Sequence, residues 1–262
     1  MRTGKGTEKL YTVKKTSVFV AEKLTDLLYP PRCPVCAALL PPLPDLRSEC
    51  AWNDLVCGNC AMDLPWLREP LCKKCGRPLE ESRTEEEFCA ECASRKRLYR
   101  EGKGIFAYRG QLRESVLSMK FQNKREWLDF FSAAMAQSAD RYLKRTGVRT
   151  IIPVPSSRAK KRRIGYDQSV LLARKLSVRT KIPVCEGNLI RIRDTQAQSG
   201  LGMRQRRENL KDAFVLKDSG IVSEPVLLTD DIFTTGSTLE ECCGALRRAG
   251  ITQICFLVLC MA

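Results

Sequence analysis

Between Gly102 and the end of the chain, apolar positions recur with two periods that take turns. GIFAYRG reads as a strand and turn. QLRESVLSMKFQ puts Leu112, Val116 and Met119 on one helical face, and REWLDFFSAAMAQSADRYLKR carries Leu128, Phe131, Met135 and Tyr142 along the inner stripe of a longer helix. TIIPVP is a short buried strand, GYDQSVLLARKLS a helix, VLLT another strand, LEECCGALRRAG a helix stopping at Gly250, and ICFLVLC a final strand. Strands alternating with helices predict an α/β unit, a mostly parallel sheet flanked by helices. In such a sheet, ligands are expected beyond the carboxyl ends of the strands.

Upstream the periodicity stops. From Pro30 to about Arg97 the chain is rich in Pro, Cys and charge and has no long periodic segment, which predicts a loop-dominated module held by metal in place of a core. Ahead of it, VFVAEKLTDLLYP places Val18, Ala21, Leu24 and Leu28 at helical spacing, a short amphipathic helix expected to cap that module. The organisation read from these shifts is a basic tail and short helix over 1–29, a metal module over 30–97 and an α/β domain over 98–262.

The cysteines define the metal. Of 14, eight fall into four CxxC pairs: Cys33 with Cys36, Cys57 with Cys60, Cys72 with Cys75, and Cys89 with Cys92. Two thiolates on one turn point at a common centre, so four such pairs predict two structural zinc sites of four thiolates each. The spacing admits consecutive or interlaced pairing. The consecutive arrangement is preferred, because CPVC and CKKCG are each followed by a partner pair at a ribbon-like distance. Cys242, Cys243, Cys255 and Cys260 sit in apolar runs and read as core thiols. The absence of histidine removes imidazole-based triads and His-ligated metals, and a net charge of +15 favours phosphate-rich partners. The basic N-terminus lacks the apolar core of a secretory signal, and the longest apolar stretch, ICFLVLCMA, is too short to span a bilayer. A cytoplasmic protein without membrane insertion is the expectation.

The densest chemistry lies in VLLTDDIFTTGST. Asp230 and Asp231 end a buried strand, and the next helix opens on a run of hydroxyls. Backbone N–H groups at that helix start, with Thr234, Thr235, Ser237 and Thr238 around Gly236, make a cradle for a monophosphate. Neighbouring carboxylates suit the vicinal hydroxyls of a ribose and hold Mg2+ through water. A ribose 5-phosphate satisfies both. The stretch is similar to the phosphoribosyl pyrophosphate (PRPP) binding motif of type I phosphoribosyltransferases. That resemblance implies a pyrophosphate loop in PVPSSRAKKRRIGYDQ, where Ser157, Arg158, Lys160, Lys161 and Arg163 neutralise a diphosphate. It also implies a closing loop in RIRDTQAQSGLGMRQRRENLKDAF, with Arg191, Arg193, Gln198, Arg204, Arg206, Arg207 and Asn209 facing the ligand.

The four CxxC pairs, the PVP strand end with its basic loop and GYDQ, the stretch from Gln198 through Arg206 to Asn209, and DDIFTTGST together resemble the ComF family of competence-associated proteins. Membership implies a double zinc ribbon joined to a type I phosphoribosyltransferase-like domain, with PRPP and Mg2+ as ligands. It also implies a role in the uptake of single-stranded DNA during natural transformation, beside DNA-uptake proteins. The basic runs KKRR and RQRR, with Tyr108, Trp52 and Trp66 as stacking groups, are the features that suit nucleic acid. The alternative is an active phosphoribosyltransferase of nucleotide metabolism with an unknown acceptor. Its base-selecting hood is expected from the zinc module or from residues 103–125.

Overall fold

The computed structural model describes residues 20–43, 46–80, 87–122, 124, 127–193 and 210–262. Four strands form the main sheet: β1 (Glu101–Ala107), β2 (Thr150–Pro153), β5 (Val226–Phe233) and β6 (Ile254–Met261). Two short strands, β3 (Leu189–Arg191) and β4 (Phe214–Leu216), pair antiparallel apart from it. The main sheet is parallel throughout in the order β1, β6, β5, β2. Every residue of β6 is buried, which is why its sequence is a continuous apolar run without alternation.

Each face of the sheet has its own core. Helix α4 (Gly110–Phe121), α5 (Trp127–Ser138) and α8 (Gln168–Thr180) pack on one face, where Val116, Met119, Leu128, Phe131, Leu172 and Leu176 meet Leu227, Leu257 and Ile151. The last helix, α9 (Ser237–Arg248), covers the other face with β3 and β4, and its Leu239, Cys242, Cys243 and Leu246 meet Leu228, Phe256, Val258 and Ile152. Cys255 and Cys260 are likewise fully buried, as expected of core thiols. The long helix expected over 125–145 is two: α5 stops at Ser138, Ala139 leaves helical geometry at φ −100 and ψ 2, and α6 runs from Asp140 to Thr146. The inner stripe survives the break, since Leu128, Phe131, Met135 and Tyr142 are all buried.

The N-terminal module is an internal repeat. Each half starts with a CxxC knuckle closed by a backbone bond, Ala37 N–H to Cys33 O in one and Gly76 N–H to Cys72 O in the other, both 2.8 Å. The turn puts the residue after the second cysteine at positive φ, 61 for Ala37 and 73 for Gly76. In each half the partner pair opens a short helix, with Cys57 capping α2 (Gly58–Met62) and Cys89 capping α3 (Ala90–Ser94). The repeat docks on the open edge of β1. Leu67 N–H donates to Ile105 O (2.9 Å), Ala107 N–H to Pro65 O (2.7 Å) and Gly102 N–H to Lys74 O (2.9 Å), so the module supplies the pairing an edge strand lacks.

Helix α1, residues 20–28, forms as expected but presents the opposite side. Leu24 and Leu28 are exposed, while Glu22 accepts from the Arg47 N–H, Asp26 pairs with the Arg47 side chain and Lys23 reaches the Leu43 carbonyl. Ala21 is also exposed, and Val18 lies outside the described residues. Polar contacts to Leu43 and Arg47 thus override the apolar stripe. Among the described residues no helix is long and apolar enough to cross a membrane.

Candidate functional site

The cysteine pairing is consecutive. Cys33, Cys36, Cys57 and Cys60 form one cluster and Cys72, Cys75, Cys89 and Cys92 another, with the sulfurs of each within 4.8 Å of one another. Tetrahedral zinc with Zn–S bonds of about 2.3 Å requires sulfurs about 3.8 Å apart. The Cys36–Cys57 and Cys75–Cys89 pairs stand at 3.7 Å, so both clusters fit zinc. Two of the thiols are drawn towards ionisation, the Cys60 backbone N–H bringing the Cys57 pKa down to about 7 and hydrogen bonds from Cys75 and Cys92 holding Cys72 low against its burial, whereas burial raises Cys33 and Cys60. Beyond the ligands, the second cluster has a cation. Arg97 is buried beside Cys92 and bridges Glu91 (2.7 Å) and Glu240 (3.4 Å).

At the carboxyl edge of the sheet, β5 continues past the expected strand end to Phe233, so both acids lie within the strand. Adjacent residues of an extended strand face opposite ways. Asp231 turns towards α4, where its carboxylate pairs with Lys120 Nζ at 2.9 Å, and both side chains are nearly buried. Asp230 lies on the α9 side, with Oδ1 accepting from the Asp231 N–H at 2.9 Å. Burial pulls the Lys120 pKa down, but the charge and hydrogen bond of Asp231, with Asp230 behind it, more than offset this and leave it raised. The lysine is therefore a fixed cation under the acid pair. It is absent from the sequence reading, yet the signal was there: 112, 116 and 119 define the buried stripe, and 120 is four residues beyond 116.

The loop after β5 leads directly into α9. Gly236 caps α9 at φ 74, and an added Cβ would stand 2.7 Å from the Phe233 ring. Thr235 Oγ1 and Ser237 Oγ are 2.8 Å apart, and the Ser237 N–H points at Thr235 Oγ1. Thr234 and Thr238 flank them, half-buried. Arg77, from the second zinc knuckle, donates to the Thr234 carbonyl, a contact for which the sequence offered no signal.

Next to this loop, β2 ends in register with β5, Pro153 opposite Thr229, so the segment from Pro153 leaves the same edge. Asp167 organises it: its carboxylate accepts from Ser156 Oγ (3.0 Å) and the Ser156 N–H (3.3 Å), and pairs with Lys161 Nζ (2.8 Å). The expected basic loop is in part a helix, α7 (Arg158–Ile164), which carries Arg158, Lys160, Lys161 and Arg163, with Ser157 just before it. Arg158 and Lys161 line a cleft of about 480 Å3 with Ser156, Asp167, Arg191 and Lys217. Arg193 ends this region, donating to the Lys211 carbonyl at 2.6 Å. Gln198, Arg204, Arg206, Arg207 and Asn209 lie outside the described residues.

A larger cleft, about 730 Å3, opens between the first zinc centre and α4, where β1 ends at Ala107. Cys60, Met62, Trp66 and Arg68 form one wall, Arg109 and Gln111 the other. Trp66 is mostly committed to packing, 4.9 Å from the Trp52 ring and 4.4 Å from Phe106. Tyr108 stands outside these walls with the Arg113 guanidinium over its ring, 5.8 Å from the centroid.

Residues 24–93 match the family model of a double zinc ribbon domain. Competence protein F of Haemophilus influenzae is 33% identical over 205 residues, covering 76% of this chain and 87% of that protein. The DNA utilization protein YhgH of Escherichia coli K12 is 28% identical over 72% of this chain and 83% of its own length, and competence protein ComFC of Bacillus subtilis 24% over 76% and 80%. A parallel α/β sheet edged by two tetrathiolate clusters, with this extent of identity, means that the chain belongs to the competence protein F family.

Proposed function

We propose that the carboxyl edge of the sheet binds PRPP with Mg2+, and that the protein acts on incoming DNA, as the names of its competence and DNA-utilization relatives suggest for them. The observation that carries the reading is the continuity of β5, its acids and the 234–238 loop with the start of α9, directly beside the loop that Asp167 holds. The backbone N–H groups of 235–238 and the hydroxyls of Thr234, Thr235, Ser237 and Thr238 take the 5-phosphate. Asp230 takes the ribose hydroxyls and would help hold Mg2+ through water, the ion supplying charge to the pyrophosphate. Asp231 with Lys120 holds Asp230 in place. Ser157, Arg158, Lys160, Lys161 and Arg163, joined by Arg204, Arg206 and Arg207, neutralise the pyrophosphate.

Calorimetric titration of Mg-PRPP tests this. Asp230→Asn is the cleaner variant, because Asp231→Asn would also strip a buried lysine of its partner. Wild-type binding that weakens by about a hundredfold or more in Asp230→Asn is expected, the loss of two charge-assisted hydrogen bonds. Equal affinity in the two proteins would refute the assignment. Single-stranded DNA is the proposed second ligand, attracted by the net charge of +15, and its affinity should fall steeply as salt rises.

A second reading, an active transferase, is favoured by the 730 Å3 cleft, which is lined by the zinc module and residues 107–112, the segments from which a hood is expected. An acceptor held there would make pyrophosphate release from PRPP depend on its presence. Transfer at the anomeric carbon needs positioning and charge stabilisation more than a protein base, so a chain without histidine is not barred from it.

A further inference from the structure

The second zinc centre and the 234–238 loop are joined at both ends of the loop. On one side, the Cys72 knuckle lies against β1: Gly102 N–H donates to Lys74 O, and a Cβ on Gly76 would stand 2.7 Å from Gly102 O. The knuckle also fixes Arg77, whose carbonyl accepts from Cys72 N–H at 2.7 Å. From there the Arg77 guanidinium donates to the Thr234 carbonyl and lies over the Phe233 ring, 5.5 Å from its centroid. That ring is the floor on which Gly236 rests, and it stacks on Phe256 at 5.3 Å. On the other side, Arg97 follows Cys92 and pairs with Glu240, which also accepts from Leu98 N–H at 3.3 Å. The Glu240 N–H in turn donates to Gly236 O at 2.9 Å. The first zinc centre packs elsewhere, with Phe106 and Phe130 on the α5 side of the sheet.

We propose that the second zinc centre holds the 234–238 loop in shape through Arg77 and Arg97, and thereby sets the affinity of that loop for phosphate. Both arginines are positioning residues. This rests on reading the loop as a phosphate site. Coupling is reciprocal, so phosphate on the loop must tighten zinc at the second centre by the same factor that zinc tightens phosphate.

Two measurements on the zinc-loaded full chain test it. Hydrogen exchange of 234–241 should rise about tenfold in Arg77→Gln, the worth of one charge-assisted hydrogen bond, with two zinc ions retained and β6 unchanged. Arg77→Lys should fall between, and Glu240→Gln should act in the same direction. In the second, zinc passes to a chromogenic chelator with and without saturating inorganic phosphate. Phosphate should slow the loss of one of the two ions in the wild type and of neither in Arg77→Gln. Loop exchange unchanged in both Arg77→Gln and Glu240→Gln, or raised equally in β6, overturns the proposal. Faster loop exchange in Arg77→Gln while phosphate protects neither ion retains the mechanical link and overturns the phosphate reading instead.

Discussion

Lys120 and Asp231 make a nearly buried ion pair directly beneath the residue assigned to the ribose. Removing one partner of such a pair strands the other charge, so Lys120→Met should cost about 3 kcal/mol, read from urea denaturation. Because the folded pKa of Lys120 is raised, this contribution is complete below the ordinary lysine value and disappears as pH rises through the folded one. The stability gap between wild type and Lys120→Met should therefore narrow in strongly alkaline buffer. A gap that is constant with pH would show the lysine stem, not its charge, to be what matters. The same comparison shows what a sequence can disclose about single residues. Lys120 was legible, being a cation on an apolar stripe, whereas Arg77 meets Thr234 across 157 positions and no local pattern encodes that meeting.

Elements were legible where burial on both sides dictated them and illegible where docking did. The apolar runs of β5 and β6 and the stripes of α4 and α8 follow from the solvent each face avoids. The inverted α1 does not, because Arg47 offers its backbone N–H to Glu22 and its guanidinium to Asp26. Nor does the edge pairing of β1, which depends on the shape the zinc module brings to it. That docking has a sharp steric condition at Gly76, where φ is 73 and a side chain would meet the β1 backbone. Gly76→Ala should destabilise the protein by about 2 kcal/mol or more, combining left-handed strain with displacement of the knuckle. Ala37 occupies the equivalent turn of the first repeat at φ 61, so Ala37→Gly should stabilise by up to about 1 kcal/mol. Thermal unfolding of the two variants would separate the effects, since Ala37 is exposed whereas a side chain at Gly76 would meet the β1 backbone.

At the scale of the molecule, the metal module is bound into the α/β sheet at several points. Besides the β1 edge, Arg179 of α8 donates to the carbonyls of Cys50 and Arg47 (both 2.7 Å) and, across to α5, to Asp129 O (3.2 Å) and Ser132 Oγ (3.1 Å). Structural zinc contributes about 10–16 kcal/mol of apparent binding energy, as much as the whole stability of an ordinary domain. Stripping both ions must therefore unfold the module and, with it, uncover the β1 edge and the apolar surface around Phe106. An uncovered edge pairs with other chains. The expected result of chelation is a red shift in the fluorescence of Trp52 and Trp66, which are packed together beside Phe106, accompanied by concentration-dependent association in sedimentation. Zinc returned before association should reverse the shift. A stripped protein that keeps its emission and shows no association would mean that the module holds its fold without metal, and that the hydrogen bonds of residues 65–67 and Lys74 still protect the edge of β1.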